Sequence, residues 1–125
     1  MPNPLFAILA HVSNYLLPLF GPVIFYLANS QEFNKAHARE AVNLSLNLTA
    51  YWLVVAAGTF WSYAAAMTYS NSSGPRATLF AFVGMFCTVA LYLLLAVSVG
   101  YPLYGVYKAA CHEEVRFPLI FRFLR

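Results

Sequence analysis

The sequence predicts an all-α integral membrane protein with three transmembrane helices, and three observations predict it. Of its 125 residues, 62% are hydrophobic and only 9% are charged, against about 25% charged in an average soluble domain. No Asp, Glu, Lys or Arg occurs within residues 1–31, 41–75 or 77–107, and each window exceeds the roughly 20 residues that a helix needs to cross a bilayer. The cations that remain collect at the ends of these windows, as membrane flanks require. One membrane domain over 1–125 follows, with spans at about 5–28, 41–67 and 77–107 and a tail at 108–125.

Span one contains "LLPLFGPVIFYL", with Pro18, Gly21 and Pro22 in its middle. A proline removes a backbone donor and clashes with the preceding turn. In lipid the freed carbonyls need partners from neighbouring helices or from polar side chains. The span is therefore kinked, or split between Pro18 and Pro22 into two half-helices. The segment lacks a basic start, since residues 1–5 hold no Lys or Arg, so it reads as retained and not as a cleaved signal peptide.

The helix of span two is expected to start ahead of the bilayer, near Asn29–Asn34, because Asn29 and Glu32 have capping-box spacing. Its amphipathic approach to the membrane then carries His37, Arg39 and Glu40. "YSNSSGPR", from Tyr69 to Arg76, is a turn by composition. Span three ends in a kink at Pro102, and "VRFPLIFRFLR" in the tail is too short and too charged to cross. Its apolar groups and arginines suit a segment on the membrane surface, with Arg116, Arg122 and Arg125 reaching anionic lipid headgroups. Packing of the tail on the protein's own spans is the alternative.

Charge sets the orientation. Lys35, Arg39, Lys108, Arg116, Arg122 and Arg125 fall on one side and only Arg76 on the other, which places the tail in the cytoplasm and the protein in the inner membrane as a multi-pass chain. A split first span would move only the N-terminus across. The net charge of +3 belongs to these flanks and does not point to nucleic acid.

His37, Glu40, Asn43 and Asn47 are spaced by three, three and four, so they share one helix face; Arg39 and Asn43 are four apart and can pair. Polar groups at this depth face protein or a water-filled cavity. They either bond neighbouring helices or line a polar path. His11 and Asn14 form a second polar spot in span one, able to satisfy carbonyls freed by Pro18 or to meet Asn47. No nucleophile–base–acid set, phosphate loop or paired carboxylates are visible, so no enzyme is expected. "CHEE", Cys111 to Glu114, has ligand-type residues without a second cluster and reads as a solvated helix end; neither a metal nor a cofactor is expected. Cys87 and Cys111 are separated by about 36 Å along a helix and do not pair. The sequons at Asn43, Asn47 and Asn71 lie in or close to the membrane. Small residues recur every four positions at Gly58, Ser62 and Ala66, at Gly84 and Thr88, and at Ala96 and Gly100, a spacing that lets backbones approach.

Four motifs in order carry a resemblance: His11 in "LAHVSNYLLPLFGPVIFYL", the bend from Pro18 to Pro22, His37-Ala-Arg-Glu-Ala-x-Asn43, and Arg116-Phe-Pro-Leu through Arg122. Together they resemble a bacterial family of small membrane proteins of unknown function. That family is distantly similar to the small membrane subunit of the chloroplast inner-envelope protein-import translocon, which is described with four spans. The resemblance implies a fold and a membrane location. Two functions are open at this point. One is a non-enzymatic accessory or stabilising subunit of a larger membrane complex, with a membrane-protein partner or a second copy. The other is a transport or protein-translocation component with a polar intramembrane face.

Overall fold

The structure, a computed structural model, describes residues 3–70 and 75–124. Arg125, the sequon at Asn71 and residues 71–74 of the expected turn lie outside the described residues. Among the described residues four helices follow one another: α1 (Leu5–Leu16), α2 (Phe20–Ala28), α3 (Glu32–Tyr69) and α4 (Pro75–Ala110). Among the described residues there is no strand.

Two of the helices, α3 with 38 residues and α4 with 36, are long and apolar enough to cross a membrane. At 1.5 Å per residue they measure about 57 and 54 Å, well beyond the roughly 30 Å hydrocarbon core. The expected first span is not a third helix of this kind. It takes the split form: α1 and α2 have 12 and 9 residues, about 18 and 14 Å, each too short to cross. The break sits at Pro18, whose ring forces Leu17 out of the helical region (φ −138°, ψ 77°). Leu19 then takes φ 73°, a left-handed value that costs a leucine about 1–3 kcal/mol. The chain folds back sharply enough that a Cβ on Gly21 would lie 2.6 Å from Ser13 Cβ, so only glycine fits. Pro22 is harmless in the first turn of α2, where N–H groups lack helical acceptors.

The start of α3 departs from the expected capping box. Asn29 donates from Nδ2 back to Phe25 O (3.1 Å) and so closes the end of α2. Glu32 still lies in the first turn of α3, where its charge complements the helix dipole. At its other end α4 closes with a Schellman motif. Glu113 N donates to Lys108 O (3.0 Å), His112 N donates to Ala109 O (3.1 Å), and His112 carries the left-handed φ of 57°. "CHEE" is therefore the terminus of α4 and its cap. Glu113 also pairs with Lys108 across it, which raises the Lys108 pKa above its ordinary value.

The described chain divides into two compact units, one from residues up to 49 together with those from 97 onward, the other Ala50–Ala96. In the first, Ala10, Ala38 and Ala41 form a small-residue core under Phe25 and Tyr26, while Leu44, Val115 and Phe117 form a second cluster with Leu48, Tyr101 and Ile120. Most side chains of the other unit are exposed, as suits lipid contact. A Cβ added to Gly58 would lie in ordinary contact with Cys87 (3.7 Å to Sγ), and one on Gly84 would lie 3.2 Å from the Tyr63 ring, close approaches of the kind small-residue spacing allows. Gly100 meets nothing within 4 Å, so its place in that spacing has no contact behind it.

Gly84→Ala tests this second unit. The Tyr63 ring would have to shift, weakening its hydroxyl contact with Thr88 Oγ1 (3.1 Å), worth about 1 kcal/mol. Alanine regains about 1 kcal/mol of helix propensity. The expected change in thermal stability in detergent is within about 1 kcal/mol, because a half-exposed ring can move.

Candidate functional site

His37, Asn43 and Asn47 on α3 bond the protein's own tail. His37, Asn43 and Asn47 are almost fully buried and Glu40 is 8% exposed. Past the cap of α4, residues 113–124 run without regular structure along this face. His37 Nε2 bonds Glu113 O at 3.0 Å. Asn47 takes Phe121 reciprocally, donating from Nδ2 to Phe121 O (2.8 Å) and accepting at Oδ1 from Phe121 N (3.0 Å). Asn43 donates to Leu124 O (3.1 Å) and accepts from Phe123 N (3.1 Å) and Leu124 N (2.9 Å). Each amide thus stands in for the neighbouring strand that this piece of backbone lacks. Glu40 faces Arg122 at 3.7 Å.

The tail therefore packs on its own helices, the alternative named above, and still shows an outer apolar face. Phe117 inserts beside Tyr101 (stacked, 5.5 Å) and edge-on to His11 (5.9 Å). Leu119, Phe121 and Phe123 point out and are well exposed, as are the side chains of Arg116 and Arg122. Held by its backbone, the segment grips α3 through N–H and C=O groups and leaves most side chains from 118 to 123 to the surroundings.

His11 and Asn14 find partners other than those expected. His11 Nε2 lies 3.2 Å from His37 Nδ1. The Glu113 carbonyl can only accept, so His37 Nε2 carries the proton. With neutral rings, His37 Nδ1 is then the acceptor and His11 Nε2 the donor. This leaves His11 Nδ1 a buried acceptor without a partner among the described residues. Asn14 accepts from Ser45 Oγ, which in turn accepts from Leu19 N at 3.4 Å. Neither residue meets Asn47. Arg39 does not pair with Asn43, whose amide the tail occupies, and Arg39 Nε is buried without a hydrogen-bond partner among the described residues.

Three contributors escaped sequence reasoning. Ser45 lies two residues from Asn43, hence off the polar face, and its role depends on where the α1–α2 bend falls. Phe117 reads as one more surface aromatic until the tail folds back. Gly105 looks like a span residue, yet a Cβ there would lie 2.5 Å from His11 Nδ1. The isolated Gly in an apolar helix, about a turn from Tyr101, was the available signal.

A family model described as the magnetosome magnetite crystal formation protein family matches residues 2–124. No curated protein and no solved structure matches the chain. The match supports the expected small bacterial membrane-protein family and does not extend to the chloroplast translocon subunit.

Proposed function

The chain belongs to the magnetosome magnetite crystal formation protein family, and from that membership we propose that it is a non-enzymatic accessory subunit of a membrane complex that serves magnetite crystal formation. One observation carries this reading. The polar face that could have lined a site is taken up by backbone of the chain's own tail, through Asn43, Asn47 and His37. What the chain offers outward is mainly apolar: the flanks of α3 and α4, and Leu119, Phe121 and Phe123 along the tail, with Arg116 and Arg122 between them. Such a protein acts by occupying membrane and presenting a shaped face to a neighbour, a second membrane protein or another copy. A translocation path would need the same asparagine amides free to meet a passing substrate.

Orientation follows from charge. The tail side holds six of the seven Lys and Arg residues, so it faces the cytoplasm, where Arg116, Arg122 and Arg125 meet anionic headgroups of the inner leaflet or of a membrane derived from it.

Gentle solubilisation and mass measurement test the accessory role. The expected result is a particle heavier than one chain plus its micelle, containing a second membrane polypeptide or further copies. A lone monomer with no co-purifying protein overturns it.

A further inference from the structure

The unit that holds the tail also carries a cleft of about 770 Å³ between α2, α3 and the tail. Four of its lining residues are cations, Lys35, Arg39, Arg116 and Arg122, and three are carboxylates, Glu32, Glu40 and Glu114. The charges do not cancel evenly. Arg122 faces Glu40 at 3.7 Å and Arg116 faces Glu114 at 3.9 Å. Lys35, Arg39 and Glu32 form no ion pair among the described residues, which leaves one cation in excess, and Lys35 Nζ rests over the Tyr26 ring at 5.5 Å. Lys35 and Arg39 lie four residues apart, on one helix face.

Arg39 is the unusual member. A guanidinium stays charged under all ordinary conditions, and a buried polar atom without a hydrogen bond is costly. Its Nε is buried without a hydrogen-bond partner among the described residues, while the residue as a whole is half-buried and lines the cleft. The natural partner one turn along, Asn43, is committed to the tail. What the protein leaves unsatisfied beside a cationic cleft, an anion can satisfy. The guanidinium fork matches a phosphate in two parallel hydrogen bonds, and Lys35 supplies a second charge from the same face.

We infer that this cleft is a phosphate site, with Arg39 as the fork and Lys35 beside it, taking a phosphate group carried by an anionic lipid headgroup or free in solution. The tail forms one wall through Glu114, Val115, Arg116 and Arg122, so ligand binding and tail docking reinforce one another. The inference goes beyond the accessory role and concerns the isolated chain. A lone monomer that binds phosphate would overturn that role and leave the cleft standing.

The full chain in detergent is titrated with inorganic phosphate, with phosphatidylglycerol, and with phosphatidylcholine of the same chain length. Binding is read by native mass spectrometry and by thermal shift. The expected result is saturable binding of phosphatidylglycerol or inorganic phosphate, at least tenfold tighter than phosphatidylcholine. Arg39→Gln should weaken it about tenfold or more, and Arg39→Lys should fall between. Arg76→Gln, which removes a cation outside this cleft, should leave it unchanged. Saturation by inorganic phosphate alone identifies a soluble ligand, and by phosphatidylglycerol alone a lipid; either supports the site. Equal retention of phosphatidylcholine, binding by Arg39→Gln as tight as the parent, or an equal loss in Arg76→Gln overturns it. If Arg39→Gln does not fold by circular dichroism, Lys35→Gln carries the same comparison.

Discussion

Replacing Asn47 with leucine is expected to free the C-terminal tail. Leucine is close in size but can neither give nor accept a hydrogen bond. Phe121 N–H and C=O would then face an apolar side chain in a site where Asn47 is only 2% exposed. The two hydrogen bonds to the tail are lost. At about 1.5 kcal/mol for each, because the Phe121 backbone groups then stay buried unpaired, the docked tail loses about 3 kcal/mol. That raises the released population roughly 100-fold. Tryptic cleavage after Arg116 and Arg122 reports that population when the tail redocks faster than it is cut, so the cleavage rate should rise by a similar factor.

The clamp holds backbone, and this separates it from ordinary side-chain packing. Phe121→Ala should leave cleavage nearly unchanged, because the Phe121 side chain is 70% exposed. Phe121→Pro, which removes the N–H that Asn47 accepts, should loosen the tail nearly as much as Asn47→Leu. Protection that follows the Phe121 side chain and ignores the amide would sink the account.

Gly105→Ala is expected to destabilise the protein by about 1–3 kcal/mol, the usual cost of overfilling a packed interior. Helix propensity points the other way by about 1 kcal/mol, so the sign of the measured change discriminates. The added methyl would lie 2.5–2.7 Å from three atoms of the His11 ring. That ring is fully buried, bonded to His37 on one side and packed on Phe117 on another, so it has no room to withdraw. Gly84 offers the contrast, since its neighbour Tyr63 is half-exposed and able to move. Denaturant titration in micelles, followed by circular dichroism, measures the change. In a His11→Ala background the clash is gone, and Gly105→Ala should become neutral or stabilising; the coupling between the two positions isolates the contact. An unchanged stability for Gly105→Ala alone would mean that α1 does not sit against α4 at this point.

Much of the architecture was legible in the sequence because it depends on one-dimensional quantities. Charge-free windows identified the two long helices. The spacing of His37, Glu40, Asn43 and Asn47 grouped them on one face. Pro18 marked a break, though residue order alone left a kink and a split equally allowed. The spacing of Asn29 and Glu32 does not make a capping box, because an asparagine between two helices can serve either, and here it bonds backward to Phe25. The pairing of Arg39 with Asn43 failed for a related reason: local spacing proposed a partner, and a distant segment supplied a better one.

The membrane character, the long helices and the amphipathic face are properties of composition and period, and any chain with this pattern would show them. Which groups satisfy that face is a different kind of question. Asn43 and Asn47 meet residues 121–124 across more than seventy positions of sequence, and what they bond there is main-chain N–H and C=O, which every residue but proline possesses. No side-chain code announces such a contact. It exists because α4 ends in a cap that turns the chain back along α3, and because unpaired backbone near lipid must find partners inside the protein.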